Sequence, residues 1–204
     1  MEVILDPKQK YSYADYLTWL DDKRRELFDG TVSLISQTPN TAHATVRMEI
    51  FTEIYNYLKK CKCGCKVFAA PFDVRLPKND EKEHKDIFFT VVQPDICIIC
   101  DLSKIDKRGC LGAPNMIVEI LSPSTAKKDY NTKYDLYERA GVKEYWIVSP
   151  EAKYVEIFLL QEDGKYAEGK IYEEKDSEDE TNLIPVGVLA GLEIDFNEIF
   201  SRSD

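Results

Sequence analysis

No run of eighteen apolar residues occurs anywhere in the 204-residue chain, so no membrane-spanning helix is expected. The opening, MEVILDPKQKYSY, lacks the basic segment followed by an apolar one that marks a secretory signal, and a cytoplasmic location is expected. Paired C-x-x-C spacing is also missing. Of the six cysteines, Cys61, Cys63 and Cys65 crowd into CKCGC, and no nearby histidine completes four soft-metal ligands. Without an export signal the cysteines are expected as thiols, with CKCGC turning the chain after a helix and Gly64 supplying a positive φ. Positive charge is short as well. With 27 Lys and Arg against 37 Asp and Glu the net charge is -10, which argues against strong nonspecific binding to nucleic acid. Nine acidic and three basic residues between Glu162 and Glu180 carry much of that excess, so a local basic groove elsewhere is not excluded. There is no internal repeat, and no recognition helix or zinc finger that would read bases.

What is present suffices for a substantial core, since 44% of residues are hydrophobic, and a single domain over residues 1–204 is expected. Ser12 caps a first helix carrying Tyr13, Tyr16, Leu17 and Leu20 at helical spacing. Asp29-Gly30 is a two-residue turn signal between Glu26–Phe28 and Val32–Ile35, which predicts a hairpin. Thr41 opens a second helix with Val46, Ile50, Phe51, Ile54 and Leu58 as its apolar stripe. Extended segments follow at 66–76, 87–92 and 93–100, with Pro71 and Pro94 marking irregularities. PKNDEKEHKD reads as a charged loop, and LSKIDKRGCLGAPN as a connection. Met116–Leu121 is a strand covered on both faces. A helix then runs to Gly141, followed by strands at Tyr145–Val148 and Val155–Leu160. A weak strand is expected near Tyr172, and 183–196 packs back. The order implies an α/β (α+β) fold, a mixed central sheet flanked by helices, with an N-terminal helix–hairpin extension, a core over residues 41–160 and an acidic peripheral segment at 161–182.

Three charges stand where apolar neighbours make them costly. Glu119 interrupts Ile117, Val118, Ile120 and Leu121, and a charge inside a covered strand needs a partner or a metal. On a wheel of 100° per residue, Tyr130, Tyr134, Leu136, Tyr137 and Ala140 share one arc. Lys133 falls within that arc, and Asp129 lies at its edge one turn earlier. Asp95 opens the apolar run of QPDICIIC. Two carboxylates on adjacent strands form a hard-oxygen site suited to Mg²⁺ or Mn²⁺, with the backbone carbonyl of Ile120 as a further ligand. A nearby ammonium can orient the attacking water and neutralise a phosphate. The plainer alternatives are a snorkelling Lys133 or a simple Asp129–Lys133 ion pair.

QPDI, PNMIVEILSPST and D-x-x-x-K-x-x-x-Y-x-x-x-GV-x-EYWIV-x-P together resemble the Uma2-type restriction endonuclease family of the PD-(D/E)XK nuclease superfamily. ELFDG and His43 extend the resemblance upstream, and it covers roughly residues 13–160. It implies a restriction-endonuclease-like core of helix, three-stranded meander, helix and strand. It also implies a nuclease hydrolysing phosphodiester bonds, in DNA, with a divalent cation. Asp95 and Glu119 would bind metal, and Lys133 would supply the ammonium from the helix, because Leu121 occupies the position where the E-x-K lysine normally stands. Glu26, His43, Asp73, Gln93 and Asp129 are secondary candidates for the same cleft. Each also has an ordinary reading as a solvent-facing, capping or packing residue. SPST offers hydroxyls and amides to a phosphate, or merely caps a helix. Double-strand cleavage by one site per chain would require a homodimer. The rival expectations are a catalytically inactive nuclease-fold module that binds nucleic acid or a protein, and a buried ion-pair network with only a structural role.

Overall fold

A computed structural model describes residues 3–35, 40–78, 89–175 and 182–202. Ser12 closes a capping box with Asp15 around α1 (Tyr13–Tyr16), a single turn. It stops short of the expected stripe, and Leu20 is 88% exposed. The hairpin β1 (Arg25–Phe28) and β2 (Thr31–Leu34) pairs Phe28 with Thr31 across Asp29 and Gly30. Both turn residues take positive φ, 48° and 80°, as a primed two-residue turn demands. Asn40 caps α2 (Thr41–Cys61), which ends at Lys62 in the left-handed region.

The extended run predicted at 66–76 divides into β3 (Lys66–Ala69) and β4 (Val74–Arg75) around the cis Ala70–Pro71 bond. The segments expected at 87–92 and 93–100, of which residues 87 and 88 lie outside the described residues, contribute β5 (Val91–Val92) and β6 (Ile96–Ile99) on either side of Pro94. In each case the two halves enter different sheets. The segment read as a connection forms the small hairpin β7 (Ile105–Asp106) and β8 (Gly109–Leu111). Next come β9 (Met116–Ile120), the helical segment 126–140, β10 (Glu144–Ser149), β11 (Tyr154–Leu159), β12 (Lys170–Glu173), β13 (Leu183–Pro185), β14 (Glu193–Asp195) and the C-terminal helix Phe196–Phe200. Most of the predicted charged loop, residues 79–86, lies outside the described residues.

The central sheet has the order β12-β11-β10-β9-β6-β3. Its β3-β6-β9 meander is antiparallel, and β10 joins β9 in parallel across the helical crossover. One face packs Ile96, Val118, Ile120 and Trp146 against Val46, Ile50 and Ile54 of α2 and against the C-terminal segment. The other face packs Ile117, Tyr145 and Ile147 against Leu136, Tyr137 and a second sheet. That sheet, β2-β1-β5-β4-β8-β7, incorporates the N-terminal hairpin, which is thus more than an appendage. Burying these two faces supplies the main driving force for the fold.

The cysteine expectation is corrected. Cys65 and Cys100 are joined as a disulfide, as are Cys61 and Cys63. The cause is register: Lys66 pairs with Ile99, so Cys65 and Cys100 stand opposite each other one step beyond. Cys97 and Cys110 are free and buried.

Candidate active site

The crossover helix is not uniform. An α-turn, Ala126–Lys128, leads into a π-helical turn, Asp129–Lys133, and then into an α-helix, Tyr134–Ala140, closed by Gly141 at φ 85°. A π turn accommodates one extra residue, and such turns are frequent at functional sites. Here it buries Asp129 and Lys133 together, at 1% and 5% exposure. The helix after them faces the core with Leu136 and Tyr137.

Lys133 is the hub. Its Nζ lies 2.8 Å from Glu119 Oε1, 3.4 Å from Glu26 Oε1 and 3.4 Å from Asp129 Oδ1. Glu119 shares a strand face with Ile117, which turns it toward the helix. Tyr137 donates its hydroxyl to Glu119 Oε1 at 2.7 Å, so a residue read from the sequence as packing also makes a polar contact. Glu26 comes from the other sheet, and its Oε1 accepts the Gln93 amide at 3.1 Å. Asp95 sits just before β6, and the β6–β9 register extended by one residue sets it opposite Glu119. Its Oδ2 accepts the Ile120 amide at 2.9 Å and lies 3.3 Å from His43 Nε2. The expectation for Ile120 concerned its carbonyl, whereas the contact seen is through its N–H.

These groups line a cleft of about 680 Å³. Asp95, Glu119, Ile120, Lys133, Glu26, His43, Gln93 and Asp129 all border it, but Asp73 does not. Asp73 lies behind the wall, accepting from Gln93 Nε2 at 2.8 Å and Tyr13 Oη at 3.1 Å. Its place in PFDVRL after a broken strand gave no hint of that. The sequence reading missed Arg24, Arg47 and Lys128, which also border the cleft. Arg47 stands four residues after His43, and that spacing was the available signal. Ser122 and Thr125 form the opposite wall, with hydroxyls 3.1 Å apart.

Charge is unbalanced here. Four carboxylates, from Glu26, Asp95, Glu119 and Asp129, border the cleft around Lys133, its one buried ammonium. Burial pushes the Glu119 carboxyl well above its ordinary range, opposed by Lys133 and reinforced by Asp129, Asp95 and Glu26. Burial raises Asp129 too, against Lys133. Asp95 moves down, because the His43 and Ile120 hydrogen bonds outweigh its burial. Burial disfavours the charged lysine, but Glu119, Glu26 and Asp129 together raise Lys133 well above normal. A surplus of buried anions of this kind is stabilised by a further cation.

Among the described residues no three His, Cys, Asp or Glu side chains form a ready-made metal cage. Mg²⁺ does not need one, since it retains waters and uses one or two carboxylates together with substrate oxygens. The donor set fits on chemistry: two carboxylates on neighbouring strands, two more beside them around one ammonium, and a buried Asp129 Oδ1 that meets Lys133 at 3.4 Å and, among the described residues, accepts no hydrogen bond.

Residues 13–195 match the family model Uma2, described as "Putative restriction endonuclease". An uncharacterized protein of Synechocystis sp. is 24% identical over 169 residues, spanning 78% of this chain and 80% of its own. The crystal structure of "a putative nuclease belonging to DUF820" from Anabaena variabilis superposes with a TM-score of 0.71 at 17% identity, over 95% of this chain and 99% of that one. The chain therefore shares the mixed α+β fold of that protein.

Proposed function

From a chain that belongs to the Uma2 family, we propose a divalent-metal-dependent endonuclease that hydrolyses phosphodiester bonds, in DNA. The observation that carries this reading is the reach of Lys133. It spans from the crossover helix to Glu119 at 2.8 Å and so brings an ammonium beside the strand carboxylate, although Leu121 lacks one. Asp95 and Glu119 are the metal-binding carboxylates, with the Ile120 carbonyl as a third donor, and Mg²⁺ or Mn²⁺ is the ion. When bound, the ion supplies a more acidic water and Lewis-acid stabilisation of phosphate charge.

The chain's own residues have distinct tasks. Ile120 N–H and His43 fix the Asp95 carboxylate and keep it ionised. Tyr137 and Lys133 fix Glu119 from one side. The Lys133 ammonium, held charged by its carboxylate neighbours, orients the attacking water and offsets charge gathering on the phosphate. Glu26 and Asp129 hold Lys133 in place.

The test is cleavage of plasmid, single-stranded DNA and RNA with Mg²⁺ or Mn²⁺, with Glu119→Gln and Lys133→Met as controls. Cleavage that either variant retains at the wild-type rate would overturn the assignment. One observation favours a second reading, a noncatalytic nucleic-acid- or protein-binding module: Lys133 already has three carboxylates around it in a chain of net charge -10. Calorimetry separates the two. Mn²⁺ binding that Asp95→Asn abolishes supports the nuclease, and no Mn²⁺ binding supports the module.

A further inference from the structure

Four cations border the cleft, and three of them are engaged. Lys133 lies among Glu119, Glu26 and Asp129. Lys128 donates to Ser33 Oγ at 2.7 Å and faces Glu26 Oε2 at 3.9 Å. Arg24 donates through Nε and an Nη to Gln93 Oε1, at 3.0 and 2.8 Å. The fourth is Arg47, half-buried on α2, and among the described residues no hydrogen bond or ion pair engages it. That is unusual in a chain with ten more acidic than basic side chains. Arg47 lies one helical turn beyond His43, whose Nε2 touches Asp95 and whose buried Nδ1 also lacks a partner. The α2 wall thus presents an uncommitted guanidinium and an unsatisfied imidazole nitrogen beside a floor of carboxylates.

We propose that Arg47 is the receptor for a non-scissile phosphate of the nucleic-acid strand bound in this cleft. The inference rests on the phosphodiester reading of the floor. A guanidinium presents a planar fork of donors that matches two phosphate oxygens, and it stays charged when partly buried. One helical turn is about 5.4 Å along the axis, and each nucleotide of a duplex strand rises about 3.4 Å along the duplex axis. With the reacting phosphate at Asp95 and Glu119, Arg47 therefore meets a phosphate one or two steps away. This also explains how an acidic protein holds a polyanion: the carboxylates lie at the floor, and the cation faces the strand from the wall.

Binding and cleavage are measured separately. Anisotropy of labelled short single-stranded and duplex DNA, with EDTA to prevent cleavage, reads affinity from about 50 to about 200 mM salt. Arg47→Ala is expected to weaken binding about tenfold and to lower the slope of log affinity against log salt by about one. Arg47→Lys recovers part of the affinity. Arg202→Ala, which removes an arginine 75% exposed and paired with Glu49, leaves both quantities unchanged. Equal losses in the Arg47 and Arg202 variants, wild-type affinity in Arg47→Ala, or no binding of either probe by the wild type would each overturn the inference. A protein that cleaves normally with Arg47→Ala loses this inference and keeps the nuclease. One that binds through Arg47 yet never cleaves loses the nuclease and keeps the phosphate receptor.

Discussion

Two glutamates, Glu119 on β9 and Glu144 on β10, are buried in neighbouring strands at 3% and 1% exposure. Glu119 interrupts an apolar run and Glu144 opens one, and each carboxyl is pushed up by burial. Their surroundings differ in kind. Glu144 accepts from Trp146 Nε1 at 2.7 Å, Val188 N at 2.8 Å and Gly187 N at 3.2 Å, all neutral donors. It fastens the C-terminal segment to the sheet. Glu119 instead meets an ammonium, a tyrosine hydroxyl and the repulsion of three other carboxylates. A buried charge satisfied by neutral donors is a structural tie. One held in a crowd of like charges, beside a cleft, marks a place built for something that arrives later.

The comparison predicts opposite outcomes for the same substitution. Glu119→Gln is expected to lower metal-dependent cleavage about 1,000-fold while the variant still melts cooperatively, as rate assays and thermal scans would show. Lys133→Met should cost cleavage about 100-fold or more. It should also cost about 3 kcal/mol of stability, because it leaves buried carboxylates unpaired, which denaturant titration reads directly. Glu144→Gln should cost about 1–3 kcal/mol by leaving the Val188 amide poorly matched. Its cleavage rate should stay at the wild-type level, and a Glu144→Gln variant that folds normally but cannot cleave would dissolve the contrast.

The smallest effect is on pH dependence. Both carboxyls bind protons more tightly folded than unfolded, so stability falls as pH rises above the ordinary glutamate value of 4.5. Each such group contributes at most about 1.4 kcal/mol per pH unit. Removing either glutamate should flatten that decline, and melting curves from pH 4 to 8 on both variants would show it.

The same pair shows what the sequence disclosed. Glu119 stands out in IVEIL, but Glu144 at the start of EYWIV is as deeply buried and no local pattern marks it. Local pattern reports that a charge is covered, and says nothing of who covers it. The wheel placed Lys133 toward the core, and the buried lysine agrees, although the turn there is π rather than α. The Asp29-Gly30 hairpin was legible because turn chemistry is local, whereas the meander was legible through the family resemblance. The division of strands between two sheets was not, since Pro71 and Pro94 show where a strand breaks but not which neighbour each half joins. Cys65 and Cys100 met through register, and Arg47 became notable only because none of the described residues pairs with it. Both facts depend on distant parts of the chain.

The π turn at Asp129–Lys133 works as a phase shifter. A residue inserted into a regular helix rotates everything beyond it by about 100°. Here that rotation is absorbed within one turn, so Asp129 and Lys133 address the cleft while Leu136, three residues after Lys133, packs against the sheet and Tyr137, four after it, reaches Glu119. Excising one residue from the turn would restore an ordinary helix and force a choice between the two orientations. The cleft and the hydrophobic core share one helix without sharing its timing, and a single surplus residue keeps them in step.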